Sequence, residues 1–111
     1  MNVDPHNPAW PERDRFILSK GHACPVQYAC LALKGYFNES VLFTLRKEDS
    51  IFQGHPSMNR CPEIDISKGS LGQGLSAGVG MAITAKRDGM HYRVFVLLGS
   101  RHRSFCLLCK W

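Results

Sequence analysis

Two histidines sit in the same kind of setting: His22 in Ser19-Lys20-Gly21-His22 and His55 in Gln53-Gly54-His55-Pro56. Each directly follows a glycine in a polar stretch, away from any apolar face. A neutral imidazole carries one donor and one acceptor nitrogen, so a loop histidine can hold an anion or a hydroxyl or pass a proton; taken singly it is also an ordinary surface residue. A third stretch, Lys68-Gly69-Ser70-Leu71-Gly72-Gln73-Gly74, has three glycines at which the backbone can take positive φ and approach a ligand with no Cβ in the way. It does not fit G-x-G-x-x-G, and no Lys-Ser/Thr follows the last glycine as in a P-loop. Its spacing leaves two readings open, a ligand cradle or a tight turn that packs a helix on a sheet. No histidine pair at i, i+4 and no His/Cys cluster suggests zinc. The lone Cys106-x-x-Cys109 has no second pair and no helix-start context, and His6, His91 and His102 have no comparable setting.

These loops need a frame. Arg15 to Ser19 is a short apolar run that reads as a strand, and Val26, Ala29, Cys30 and Leu33 then recur at helical spacing, with Gly35 as the stop. A second helix is expected after Asn38 as N-cap, with Val41, Leu42 and Leu45 as its apolar face, fading in Arg46-Lys47-Glu48-Asp49-Ser50. Residues 52–65, with two prolines, read as an extended loop. The glycine-rich turn leads into a helix whose Gly74, Gly78 and Ala82 fall every fourth residue, a spacing that lets another backbone approach closely, and Arg87-Asp88-Gly89 ends it. Val94 to Leu98 is continuously apolar, as a strand buried on both faces is, and Gly99 is expected to open a loop. The fold class that follows is α/β, an incomplete parallel sheet with covering helices. Ligands in such sheets bind beyond the carboxyl ends of strands, so the loops at His22, Gly69 and Gly99 are predicted to share one edge.

The chain has 111 residues, room for one domain. Its 44% hydrophobic and 21% charged residues exclude a disordered class. There is no 18-residue apolar run and no apolar N-terminal stretch, so a cytoplasmic protein with no membrane partner is expected. The net charge of +5 owes much to residues 100–111, which carry Arg101, Arg103 and Lys110 and no acid. The other eleven basic residues are scattered among nine acids, which argues against a nucleic-acid surface. Five cysteines, an odd number without an export signal, point to reduced thiols.

Read together, "NPAWPERDRFILSKGHACPVQYACLALKGYF", "FQGHPSMNRCPEIDISKGSLGQGLSAGVGMAITAK" and "YRVFVLLG" resemble the N-terminal half of transketolase, especially the short form whose two halves are separate polypeptides. The resemblance runs from Asn7 to about Gly99. It implies a thiamine diphosphate-binding fold and, as the family reaction in the pentose phosphate pathway, transfer of a two-carbon ketol unit from a ketose phosphate to an aldose phosphate. The cofactor supplies the carbanion and electron sink, and protein groups hold and orient it. By resemblance, His22 matches the family histidine near the cofactor diphosphate. His55 matches the catalytic histidine near the thiazolium ring and substrate hydroxyl. Gly69 and Leu71 match the loop that packs on the aminopyrimidine. Sugar phosphates are the implied substrates, and the C-terminal transketolase half and a dimer partner are the implied protein partners. The glutamate that activates the aminopyrimidine belongs to the partner half, and the family's first substrate-binding histidine lies upstream of the stretch matched here.

Departures from the pattern begin at residue 100. The family follows its second strand with Gly-Asp-Gly, and a later asparagine joins that aspartate in holding the Mg2+ that bridges the diphosphate. This chain has Ser100 for the aspartate, Arg101 for the glycine and no counterpart of the asparagine. A neutral hydroxyl is a poor ligand for a hard cation and Arg101 adds repulsion, so the metal site is expected to be lost and no metal ligand is assigned. The chain accordingly divides into a partial transketolase N-terminal domain, 1–99, and a non-family basic tail, 100–111, with no clear helical or strand period. A frame change or gene truncation explains the tail. Direct phosphate binding by Arg101 and Arg103 is the alternative. Two functions follow: a transketolase segment inactive by itself, or a non-catalytic module that binds a transketolase partner chain. Co-purification with the C-terminal half separates them.

Overall fold

Arg15–Leu18 (β1) pairs in parallel with Val94–Gly99 (β2), Arg15 opposite Val94 and Leu18 opposite Leu97. The computed structural model describes the chain except residues 55–56, 62, 68–72, 100–103 and 110–111, and of residues 21 and 104–109 it describes only the backbone. Side chains alternate across the sheet. Ile17, Val94 and Val96 face the helix Gln73–Arg87 (α2) and form one buried cluster with Ala82. Leu18 joins Cys24, Tyr28, Phe52, Cys61 and Ile64 in a second cluster, with Phe16 and Leu97 packed against it, on the side of the helix Cys24–Leu33 (α1). β2, expected to be buried on both faces, is fully buried only toward α2, at Val94 and Val96, whereas Phe95 and Leu97 on the other face are half-buried.

The helix expected after residue 24 forms, with Pro25 in its first turn, but it buries a different stripe. Cys24, Gln27, Tyr28 and Ala32 are inside, whereas Val26, Cys30 and Leu33 are exposed and Ala29 is half-buried. The segment is apolar nearly all round, so periodicity selects a helix without selecting its inner face. That choice is made by Phe52, whose ring centroid lies 4.6 Å from that of Tyr28 and 4.7 Å from that of Phe37. The Tyr28 hydroxyl donates to the Gln53 carbonyl at 3.1 Å, and burial pushes its pKa up to about 12. Gly35, at φ +89°, stops the helix as expected: its N–H reaches the Ala32 carbonyl and the Tyr36 N–H the Leu31 carbonyl, satisfying two end carbonyls.

The segment after Asn38 is a 3-10 helix, Glu39–Thr44, where an α-helix was expected. Asn38 is its cap, the side chain accepting from the Ser40 N–H, and Val41, Leu42 and Leu45 pack on the second cluster as their spacing indicated. Six residues are too few to repay α-helix nucleation, and the i→i+3 bonds from Val41 to Asn38 and Leu45 to Leu42 close the shorter turns. Arg46 then takes φ +63°, its N–H bonded to the Phe52 carbonyl, which turns the chain back.

Gly74, Gly78 and Ala82 are buried where α2 crosses the sheet, as their four-residue spacing anticipated. Gly89, at φ +67°, ends α2 with the same pair of bonds seen at Gly35. At the far end of β2 the expectation fails. Gly99 belongs to the strand, and Ser104–Cys109 forms β3, antiparallel to β2, with Gly99 opposite Ser104 and Val94 opposite Cys109. The physical reason is length: four residues join the two strands, enough for a hairpin and too few for the crossover that a parallel strand needs. The sheet order is β1-β2-β3. Among the described residues no helix is long and apolar enough to cross a membrane, and Cys24, Cys30 and Cys61 are free thiols.

A buried carboxylate, Asp14, ties the N-terminal segment to the sheet. Asp14 accepts from the Arg93 backbone N–H at 2.8 Å, the Arg93 guanidinium at 2.6 Å and the Asn2 N–H. Burial pushes the Asp14 carboxyl up, but those hydrogen bonds and the Arg93 charge outweigh it and hold the group below the usual carboxylate range. A depressed folded-state value means that the unfolded chain binds the proton more readily. The contribution of Asp14 is therefore complete above the ordinary carboxylate range and is lost as pH falls through the depressed value. Urea midpoints measured from pH 7 downward should fall more steeply for the natural chain than for Asp14→Asn; parallel profiles would refute the linkage.

Candidate functional site

The carboxyl end of β1, the start of α2 and the carboxyl end of β2 meet at one edge. Ser19 follows β1 directly, and its N–H donates to the Leu97 carbonyl of β2 at 2.9 Å. Its buried hydroxyl accepts the Gly74 N–H at 3.2 Å, which satisfies one of the four N–H groups that α2 leaves without a partner at its first turn. Gly74 must be glycine here: a Cβ would lie 2.7 Å from Ser19 Cβ and 2.9 Å from its Oγ. The Lys20 side chain runs over Gly99, its Cβ and Cγ 3.2 Å from where a Cβ of Gly99 would stand. His22 lies two residues on, exposed, in the one-turn 3-10 helix Gly21–Ala23 that the Ala23 N–H closes on the Lys20 carbonyl at 2.9 Å.

The segment that leads to His55 is fastened beside this turn. Cys24 Sγ contacts the Gly54 carbonyl at 3.1 Å, and Tyr28 holds the preceding Gln53 carbonyl. His55 itself lies outside the described residues, as do Gly69, Leu71 and Ser100. Of the four predicted site residues the structure thus places His22, for the other three it places the neighbouring segments Gln53-Gly54 and Gln73-Gly74, and before Ser100 it places Gly99. Ser19 and Lys20 are the contributors that the residue pattern did not single out. The signal was present in outline, since a small hydroxyl residue directly after an apolar strand run suits a helix cap, but its partner is 55 residues away.

The edge is electropositive. α2 carries no acid in its first turn and directs its positive end to the strand ends, beside Lys20. Arg46 Nε stands 3.4 Å from where a Cβ of Gly54 would be. Burial raises the Cys24 thiol, with the Arg46 charge opposing, so Cys24 is a packed thiol rather than a nucleophile. These donors suit an anionic group such as a diphosphate. Among the described residues no group of three His, Cys, Asp or Glu side chains is placed to hold a metal, and Ser100 and Arg101, where the metal site was expected to be lost, lie outside them.

Known proteins share this arrangement. The family described as transketolase, thiamine diphosphate binding domain, matches residues 1–102. The 6-deoxy-6-sulfo-D-fructose transketolase subunit SqwG of Clostridium sp. (strain MSTE9) is 50% identical over 99 residues, covering 89% of this chain and 36% of that protein. Human transketolase is 50% identical over 100 residues, covering 89% of this chain and 16% of the human protein. The crystal structure of Pichia stipitis transketolase in complex with sedoheptulose-7-phosphate superposes with a TM-score of 0.86 at 33% identity, over 90% of this chain and 16% of that one. The chain therefore spans about a third or less of the length of these relatives. A sheet edge built from Ser19, Lys20, Gly74 and Gly99, within a fold and sequence matched over nearly all its described length, makes this chain a member of the transketolase family, from its thiamine diphosphate-binding domain.

Proposed function

We propose that this chain forms part of a transketolase cofactor cradle, with His22 toward the diphosphate, Gly69 and Leu71 against the aminopyrimidine, and His55 beside the reacting carbon and the substrate hydroxyl. The observation that carries this reading is the convergence of Ser19, Lys20, Gly74 and Gly99 at one electropositive edge. Thiamine diphosphate, when bound, supplies the electron sink for ketol transfer between sugar phosphates. The chain's own residues bind and orient it: Lys20 and the α2 terminus favour its negative charge, the glycines admit it closely, and His22 donates to it. His55 holds a hydrogen bond at a substrate hydroxyl, one that strengthens as charge develops.

In this reading Mg2+ is not held by the chain, because Ser100 and Arg101 replace the family's metal-binding pair. In this reading the cofactor domain is residues 1–99 and residues 100–111 form a basic tail, the family match running three residues into it, and ketol transfer, a cytoplasmic reaction, needs the C-terminal half and the dimer partner. The purified chain is expected to show no turnover above the buffer blank in a coupled sugar-phosphate assay. By calorimetry, neither it nor Ser100→Asp should bind thiamine diphosphate in a magnesium-dependent way, since one carboxylate does not make a near-octahedral site. Replacing residues 100–111 by a family-like continuation and adding the C-terminal half should create that binding. Turnover by the chain alone, or magnesium-dependent binding by the single variant, would overturn this reading.

A further inference from the structure

A groove of about 460 Å³ opens beside β1, walled by Phe16 and Leu18 of β1 and by Val26 and Cys30 of α1, with Met1 and Val3 at its rim. Its walls are almost wholly apolar, and Val26 is 63% exposed there. Gln27 also lines it, only 8% exposed, and its Oε1 has no hydrogen-bond partner among the described residues. A buried amide oxygen without a donor is rare in folded proteins. The Gln27 oxygen is thus free to accept from a donor outside the described residues.

We propose that this groove seats an apolar polypeptide segment from the part of a transketolase subunit that this chain does not span, with an N–H of that segment meeting Gln27 Oε1. The proposal rests on the family reading. Three observations favour this occupant. The Clostridium subunit is covered to only 36% of its length, so most of the polypeptide that accompanies this segment there lies outside the match. Of the charged groups on the groove wall, Arg13 pairs with Asp65 and Asp14 with Arg93, and the two others, Lys34 and Glu63, are opposite in sign, so no single charge selects an ionic ligand. A polypeptide offers both apolar side chains and the amide donor that a hydrocarbon lacks.

Thiol accessibility tests the proposal. In this chain, with Cys106 and Cys109 replaced by serine, Cys30 should react with a maleimide at the rate of an exposed thiol, while Cys24 and Cys61, both fully buried, stay inert. In the intact Clostridium subunit, a cysteine at the position aligned with Cys30 should react at least a hundredfold more slowly until the subunit is unfolded. Equal rates in the two proteins would overturn the proposal. Gln27→Leu in this chain should raise the urea midpoint, because the lost oxygen had no partner; a lowered midpoint would mean the chain satisfies it internally and would also overturn the proposal. Protection in the intact subunit, with failure of the calorimetry described above, would remove the cofactor reading and leave the groove assignment standing.

Discussion

Asp65→Asn is expected to cost this chain about 3–5 kcal/mol, the range for leaving one member of a buried ion pair without its partner. The Arg13 and Asp65 side chains are 10% and 6% exposed, and the guanidinium meets both carboxylate oxygens, at 2.6 and 3.2 Å. The same carboxylate accepts the Phe16 N–H of β1 at 2.8 Å, so it joins the loop after Phe52 to the edge strand as well as to Arg13. Asparagine keeps an acceptor for Phe16 but turns amide hydrogens toward the guanidinium, and Arg13 cannot rehydrate without opening the packing around it. Urea unfolding of the purified chain reads the effect. Replacing both partners by apolar residues, Arg13→Met with Asp65→Leu, should cost far less than the two single changes together, because a buried pair contributes little net stability while an orphaned charge is expensive. A loss below about 0.5 kcal/mol for Asp65→Asn, the level of an ordinary surface change, would show that the pair is solvated and that the loop is held by its apolar contacts alone.

Gly78→Ala and Gly80→Ala should have opposite signs although they lie two residues apart on α2. Alanine in a helix interior is favoured over glycine by roughly 0.5–1 kcal/mol, and at Gly80 nothing stands within 4 Å of the added methyl, so that gain should appear undiminished. At Gly78 the methyl would overlap Val96 Cγ2, while meeting Ile17 Cδ1 at 3.5 Å and Val94 Cγ1 at 3.6 Å in ordinary contact. Val96 is fully buried in β2, and its branched side chain has little rotamer freedom with which to yield. Over-packing of this kind costs about 1–3 kcal/mol, more than the propensity gain, and α2 must lift from the sheet. Thermal or urea unfolding of the two variants decides the matter. If both stabilise the chain by similar amounts, α2 does not sit on β2 at the distance described.

The cofactor edge depends on the same contact, since lifting α2 also withdraws the Gly74 N–H from Ser19. This stripe was legible in the residues because its signal is local: glycine and alanine every fourth position leave one side of a helix without side chains, whatever packs there. The helix ends at Gly35 and Gly89 and the presence of a strand at Val94 to Leu98 were legible for similar reasons, though its burial on one face only was not, and so were the histidine and glycine loops whose order carried the family resemblance. His55, Gly69, Leu71 and Ser100 rest on that resemblance, since they lie outside the described residues.

The tertiary structure decided what depends on which distant residue arrives where. α1 is apolar on most sides, so Phe52 and Cys61, not its own period, chose to bury Tyr28 and to leave Val26 and Leu33 outside. β3 has no readable period of its own; pairing with β2 across a four-residue link makes it a strand. The Ser19 cap on Gly74, the Asp65 clamp on Arg13 and the Asp14 clamp on Arg93 join residues 55, 52 and 79 positions apart. A hydroxyl or a carboxylate in the sequence states that it needs a partner. Only the folded chain, by bringing strand ends and helix starts to one edge, selects which partner it meets.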